Sequence, residues 1–326
     1  MTKLKFGLYW AASCGGCEIA VLDINEKILD VINLADIVFW PVALDFKLSD
    51  VEALPDKSID ACLINGGIRT TENEKVARLL RSKSKIVIAY GACSSWGGIP
   101  GLANLSSREE ILDWVYTDAP TVDNKENVHP SQSVEEEVKL ELPTLLAQVE
   151  PLDRVIDVDY YIPGCPPTPD VTWKALTTVL SGSLPEKGSV IGADERALCY
   201  SCDLNKTKPV NVSIKTFKRP TEFSPDLSKC LLVQGLACLG PVTRGGCTAL
   251  CVKGGMPCTG CFGPVDRVDD FSGKVVTYLA SVLDLEDEKE MEREFAKIVD
   301  IVGLSNKYSL PSSAFRGALG KGGKTG

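Results

Sequence analysis

Thirteen cysteines stand in this chain of 326 residues, and their spacing carries more information than their number. Cys14 and Cys17 form SCGGCE directly after the apolar stretch FGLYWAA. Cys62, Cys93 and Cys165 are isolated, and the other eight lie between Cys199 and Cys261. Thiolates are soft ligands, and sulfur-rich tetrahedral sites suit either zinc or iron–sulfur clusters, so the count alone does not separate the two. CGGC taken by itself also reads as a thioredoxin-like redox dithiol, but that leaves Cys93 and Cys165 without a use. The odd total fits three four-cysteine sites with one cysteine over.

The elements that must position these thiols are legible up to about residue 180. KFGLYWAAS, ADIVFWPVAL, SIDACLINGGI, KIVIAYGACSSWGG and RVIDVDYYIPGCPPTP read as strands. Between and after them, IAVLDINEKILDVINLA, TENEKVARLLRSK and DVTWKALTTVLSG carry helical spacing. Such alternation with short links predicts an α/β domain with an open, mostly parallel sheet covered on both faces, over residues 1–185. In such sheets ligands sit beyond the carboxyl ends of the strands. Cys14 and Cys17 follow the first strand, Cys93 the fourth and Cys165 the fifth, so one four-thiolate site is expected there. Cys62, inside the strand ACLINGG, reads as a small buried hydrophobe with no ligand role. Residues 104–147 read as an insertion with a short helix at SREEILDWVY, a polar loop and a helical piece in SVEEEVKLELPTLLAQVEPLD. The only histidine, His129, falls in that loop and reads as an exposed loop residue.

Past residue 186 the strand–helix period fades. Cys199, Cys202, Cys230, Cys238, Cys247, Cys251, Cys258 and Cys261 mark residues 186–285 as a small, mostly irregular domain organised around metals rather than an apolar core. Eight thiolates make two four-ligand sites, divided in sequence or interleaved as in two-cluster ferredoxins. Residues 286–326 read as a charged surface helix, with Met291, Phe295, Ile298 and Val299 on its apolar side, and a glycine-rich flexible tail.

Composition sets the outer limits. The chain is 44% apolar and 24% charged, as a globular protein with a core requires. A net charge of −9 argues against nucleic acid as a partner, because phosphate recognition needs a basic field. No apolar run has the length of a membrane span. The first apolar stretch, FGLYWAA, is seven residues, the lower limit for a secretory signal, and no twin arginine precedes it. The expected location is the cytoplasm, where the cysteines remain thiols rather than disulfides.

Three motifs taken in order, SCGGCE at 13–18, GACSSWGG at 91–98 and PGCPPTP at 163–169, resemble the small, electron-transferring subunit of nickel–iron hydrogenases. The later cysteine pattern extends the likeness to about residue 265, where the related subunit of respiratory complex I has no counterpart. The resemblance implies a flavodoxin-like first domain with a proximal [4Fe–4S] cluster on Cys14, Cys17, Cys93 and Cys165. It implies the sequential division of the rest: a distal cluster on Cys199, Cys202, Cys230 and Cys238, and a medial one on Cys247, Cys258 and Cys261. Cys251 stands where many relatives have proline and so completes a third [4Fe–4S] cluster; Cys199 replaces the histidine common at the first distal position. These two departures, with no export signal, point to the cytoplasmic branch, and GGCTALCVKGGMPCTGCFGP most resembles the methyl-viologen-reducing (F420-non-reducing) type. F420-reducing, NAD(P)-linked and sulfur-reducing enzymes are the neighbouring alternatives, and a complex-I-like module without hydrogen chemistry is the other class. The implied partners are a large subunit holding the nickel–iron centre and an iron–sulfur adaptor of heterodisulfide reductase. Glu18, directly after Cys17, is the candidate proton-relay residue; its other reading is a carboxylate at a helix N-terminus. The chain by itself is expected to lack hydrogenase activity, having no nickel site.

Overall fold

A computed structural model describes residues 3–130, 133–135, 138–298 and 300–314. Its first region is built on five parallel strands: β1 (Leu4–Trp10), β2 (Ala35–Phe39), β3 (Ile59–Asn65), β5 (Ser84–Tyr90) and β9 (Tyr160–Ile162), in the order β2-β1-β3-β5-β9. Alternate residues of the inner strands enter two different cores, as the pleat requires. Ala61, Leu63, Ile88 and Tyr90 pack on one face with α1 (Gly16–Leu22), α2 (Ile28–Leu34) and α7 (Pro169–Leu180). Cys62, Ile64, Val87 and Ala89 pack on the other with α3 (Leu48–Glu52) and α4 (Thr71–Lys83). The expected open α/β sheet, covered on both sides, is therefore present. Residues 189–191 extend it: Tyr161 N–H donates to Ser189 O, Ile191 N–H returns to Tyr161 O, and Ile191 joins the first core. The expected boundary at 185 falls just before this extension.

Helix starts carry their own caps. Thr70 Oγ1 accepts from Asn73 N–H at 3.1 Å at the head of α4, and Thr168 with Pro169 opens α7. Asp159, buried beneath β5, accepts from Arg81 and Lys187 at 2.6 Å each and from the Val87 amide at 2.8 Å. Burial raises the pKa of its carboxyl, but those three donors more than offset it and the net shift is downward.

Three expectations need correction. The segment 19–35 is two helices, α1 and α2, separated by a short 3₁₀ turn at Asn25–Lys27, and Ile19, Leu22, Leu29, Ile32 and Leu34 face outward. The inward face belongs to Cys17, Ala20, Val21, Ile24 and Val31. Second, the expected helix in 133–153 is a hairpin of β6 (Ser133–Glu135) and β7 (Val138–Leu140), then β8 (Leu145–Glu150), antiparallel to β4 (Ile68–Thr70). Pro143 bars a continuous helix there, and β4 offers β8 an unpaired edge. The short helix ahead of this hairpin was legible: α6 (Arg108–Asp113) begins at a Ser107–Glu110 capping box, not far beyond α5 (Ala92–Trp96). His129 lies in its loop, half-buried, with its Nε2 3.3 Å from Thr117 Oγ1.

Third, the later region has an apolar core. Leu198, Ile214, Phe217, Leu231, Leu239 and Val242 are buried together with α9 (Phe271–Val282). Around α8 (Leu250–Lys253) the chain is mostly turns. The charged helix is divided into α10 (Glu288–Ala296) and α11 (Ile301–Asn306), with Asp300 capping the second. Met291, Phe295 and Ile298 pack on this core as their spacing predicted; Val299 and residues 315–326 of the glycine-rich tail lie outside the described residues.

Cys62 is fully buried, and burial pushes its thiol up to about 12. Its Sγ lies 3.2 Å from where a Cβ on Gly7 would stand, so it fills the gap between β1 and β3. Cys62→Ala should therefore keep every iron atom and cost about 1 kcal/mol of stability. Iron analysis beside a denaturation curve checks this, and lost iron would give Cys62 a ligand role.

Candidate metal centres

Three glycine-rich turns at the carboxyl ends of β1, β5 and β9 carry Cys14, Cys17, Cys93 and Cys165. They converge: the thiol of Cys17 feels Cys93, Cys165 and Cys14. Gly91 sits at φ 87°, ψ 165°, and a Cβ there would come 2.4 Å from Cys17 Sγ. A Cβ on Gly98 would come 2.5 Å from Cys93 Sγ. Both glycines thus form the wall of a cradle for sulfur. Gly16 N–H donates to Cys14 Sγ at 3.4 Å, and Cys165 is joined to Pro166 by a cis peptide.

A second ring is formed by Cys199, Cys202, Cys230 and Cys238, which line one cavity with Leu198 and Gly240. Cys258 N–H donates to Cys238 Sγ at 3.4 Å, and the Gly240 amide donates to the same sulfur. Cys247, Cys251, Cys258 and Cys261 line the third cavity with Thr243 and Phe262. There the amides of Ala249 and Leu250 point at Cys247, and the Cys165 amide points at Cys261. The eight later cysteines thus line two cavities in sequence order, and Cys238 and Cys258 adjoin where the two meet.

Burial, and next a neighbouring thiol, favour the protonated form of Cys17, Cys93, Cys258 and Cys261. The Cys93 and Cys261 thiols are pushed up to about 12, and those of Cys17 and Cys258 rise further. Four thiolates held side by side repel one another unless a cation offsets their charge, so the chemistry of four clustered cysteines suits a metal. Among the described residues no three His, Cys, Asp or Glu side chains meet tightly enough for a single ion. The two later sets each line a cavity with sulfur, and backbone N–H groups point at sulfur in all three sets, which fits polynuclear iron–sulfur groups.

Glu18 is neither exposed nor bonded to helix amides. It is buried, with its oxygens accepting from the Trp40 indole N–H and, at 2.5 Å, from Asn65 Nδ2. Asn65 Oδ1 in turn accepts from Ser13 Oγ at 2.9 Å. Burial raises the Glu18 carboxyl above the usual range against the pull of those two donors. No local pattern marks Trp40 as a partner; Asn65, at the end of β3 before a Gly pair, carries a weak signal.

The chain matches the family "NADH ubiquinone oxidoreductase, 20 Kd subunit" over residues 14–179. It is 42% identical over 325 residues to the iron-sulfur subunit of the F420-non-reducing hydrogenase of Archaeoglobus profundus, covering 98% of this chain and 99% of that protein. The chain belongs to this family of hydrogenase iron–sulfur subunits. The corresponding F420-non-reducing hydrogenase subunit of Methanothermobacter thermautotrophicus is 38% identical, with 99% of both chains covered. The family likeness thus spans both cores, not the sheet alone. A [NiFeSe] hydrogenase structure from Desulfovibrio vulgaris Hildenborough shares the fold, with a TM-score of 0.53 at 16% identity over 82% of this chain and 95% of that one.

Proposed function

We propose that the chain is the electron-transferring small subunit of a cytoplasmic nickel–iron hydrogenase of the F420-non-reducing type, carrying three [4Fe–4S] clusters. Cys14, Cys17, Cys93 and Cys165 hold the proximal one, Cys247, Cys251, Cys258 and Cys261 the medial one, and Cys199, Cys202, Cys230 and Cys238 the distal one. The observation that carries this reading is the arrangement of twelve of the thirteen cysteines in three rings of four, each with backbone N–H groups or glycine cradles against sulfur. When bound, such clusters supply one-electron carriers with no open coordination position.

The protein's own part is to hold, shield and connect. Its backbone amides stabilise charge on sulfur, and apolar residues such as Leu198, Val252 and Phe262 wall the two later cavities. The nickel–iron centre belongs to a large subunit. Trp10, Ile19, Leu22, Leu29, Ile32 and Leu34 are exposed on the end of β1 and on α1 and α2, the elements that carry Cys14, Cys17 and Glu18. Exposed apolar residues in such number mark a partner surface, and the large subunit is the partner assigned to it. Tyr200, exposed beside Cys199 with Arg196 over its ring, is the outlet assigned to an iron–sulfur adaptor of heterodisulfide reductase. Among the described residues no helix is long and apolar enough to cross a membrane.

Anaerobically purified protein should contain about twelve irons and as many acid-labile sulfides per chain. Reduced-state EPR should resolve three interacting clusters. Two or fewer clusters, or zinc in place of iron, would overturn the assignment.

A further inference from the structure

The seam between the two later cysteine sets reaches the surface as an apolar face. Val252 lines both cavities, and its companions in α8, Leu250 and Cys251, are exposed. Met256 N–H donates to Cys251 O at 2.9 Å, which holds the exposed Met256 against the same turn. Leu227, on the loop that leads to Cys230, lies over Gly255: its Cδ2 stands 3.1 Å from where a Cβ on Gly255 would be. Leu227, Leu250 and Met256 are each more than half exposed. Leu227 comes from the loop of the distal set and the other two from the loop of the medial set. Large apolar side chains gathered on the surface from separate loops mark a place where another protein sits.

The rim of this face is cationic. From Cys199 to Cys230 the chain carries five lysines and one arginine against three carboxylates, in a protein whose net charge is −9. Two of those carboxylates are taken: Asp226 pairs with Lys229 at 3.2 Å and Glu222 with Arg219 at 3.8 Å. Lys206 and Lys208 flank Thr207, whose Oγ1 accepts from the Cys230 amide at 2.8 Å, and Lys208 also lines the distal cavity. Lys253 follows Val252 at the end of α8. Among the described residues none of Lys206, Lys208 and Lys253 has an ion-pair partner. The exposed apolar surface on α1 and α2 is acidic instead, with Asp23, Glu26 and Asp30 exposed and Lys27 half-buried. Charge therefore separates the occupants: a basic surface fits α1 and α2, and an acidic one fits the seam.

We propose that the seam docks the electron acceptor, and that the acceptor is an iron–sulfur protein whose contact surface is acidic with an apolar centre. The inference rests on the cluster assignment above and gives the acceptor a chemistry. Leu227, Leu250 and Met256 form the centre of the face, and Lys206 and Lys253 its rim. Opposite charge steers the approach and fixes the register, while the apolar centre excludes water. Seated there, the acceptor lies over the loops of both later sets rather than over Tyr200 alone.

The test uses the anaerobic complex with its large subunit, hydrogen as donor and an acidic bacterial-type ferredoxin as probe. Methyl viologen, a small dye that needs no docking surface, is the control. Raising salt from about 50 to about 300 mM should raise the ferredoxin KM, because screening shortens the reach of the rim charges. The double variant Lys206→Glu, Lys253→Glu should raise that KM about tenfold with kcat unchanged. Met256→Glu should raise it too, through the apolar centre. In each case iron per chain and dye reduction stay at the wild-type level. An unmoved KM in the double variant overturns the docking face and leaves the cluster assignment standing. Ferredoxin left oxidised by a wild type that reduces the dye overturns it as well. Loss of the large subunit from the Met256→Glu complex also overturns it, because the seam would then be the large-subunit interface. Later sites without iron in the wild type overturn both.

Discussion

Gly91→Ala should strip the proximal site of its iron and abolish hydrogen-linked electron transfer, while the two later sites stay loaded. Two costs meet at this position. The backbone at φ 87°, ψ 165° belongs to a region open to glycine alone, and forcing another residue into it costs about 1–3 kcal/mol. The added methyl carbon would also stand 2.4 Å from Cys17 Sγ and 3.5 Å from Gly164 O. Relief by moving the turn would break the bond from Gly91 N–H to Ile162 O, 2.7 Å long, which ties the Cys93 turn to the end of β9. Iron per chain should fall by about a third, the share of one cluster in three. Gly182→Ala supplies the control: its φ of 69° carries similar strain, but nothing lies within 4 Å of the new methyl. That variant should lose stability and keep its iron. Full iron in Gly91→Ala would remove the proximal cradle from the account.

Glu18→Gln should slow hydrogen-linked turnover about a hundredfold with iron content unchanged, the scale at which a lost proton-transfer group is felt. Turnover is measured as hydrogen-dependent dye reduction by the complex, beside iron analysis. We propose Glu18 as a relay because it is a buried carboxylate next to Cys17, on a helix assigned to the large-subunit surface. Its bonds also give it an anchoring role, joining α1 to Trp40 and Asn65. The two roles separate by experiment. Glutamine keeps the volume and one acceptor but holds no exchangeable acid proton, so an anchor alone would lose stability and little rate. Neither an indole N–H nor an amide N–H passes protons on readily, so a relay through Glu18 would need its proton source on the partner's side. Unchanged turnover in Glu18→Gln would leave only the anchor.

The parallel sheet was legible because β1, β3 and β5 are apolar runs, the last two followed directly by Gly66 and Gly91, and the strand ends then place Cys14, Cys17, Cys93 and Cys165 on one edge. Other parts were hidden for physical reasons. The residues of the second core, among them Ile214, Phe217, Leu231 and Leu239, are scattered through turns with no period, so the cysteines overshadowed them. The chain at 145–150 has strand geometry only because β4, far away in sequence, accepts it. The partners of Glu18, and the bonds that tie Tyr308 to Gly98 and Thr259, arise between segments whose separation no local pattern reports.

The outward apolar side chains of α1 and α2 bear on how such a protein must be made. A copy released without its large subunit would present Ile19, Leu22, Leu29 and Ile32 to water, where they invite self-association and capture by chaperones and proteases. The cell does best to synthesise the two chains in matched amounts, so that an orphan copy is short-lived. The amount of folded small subunit would then be set by its partner's supply as much as by its own gene's output.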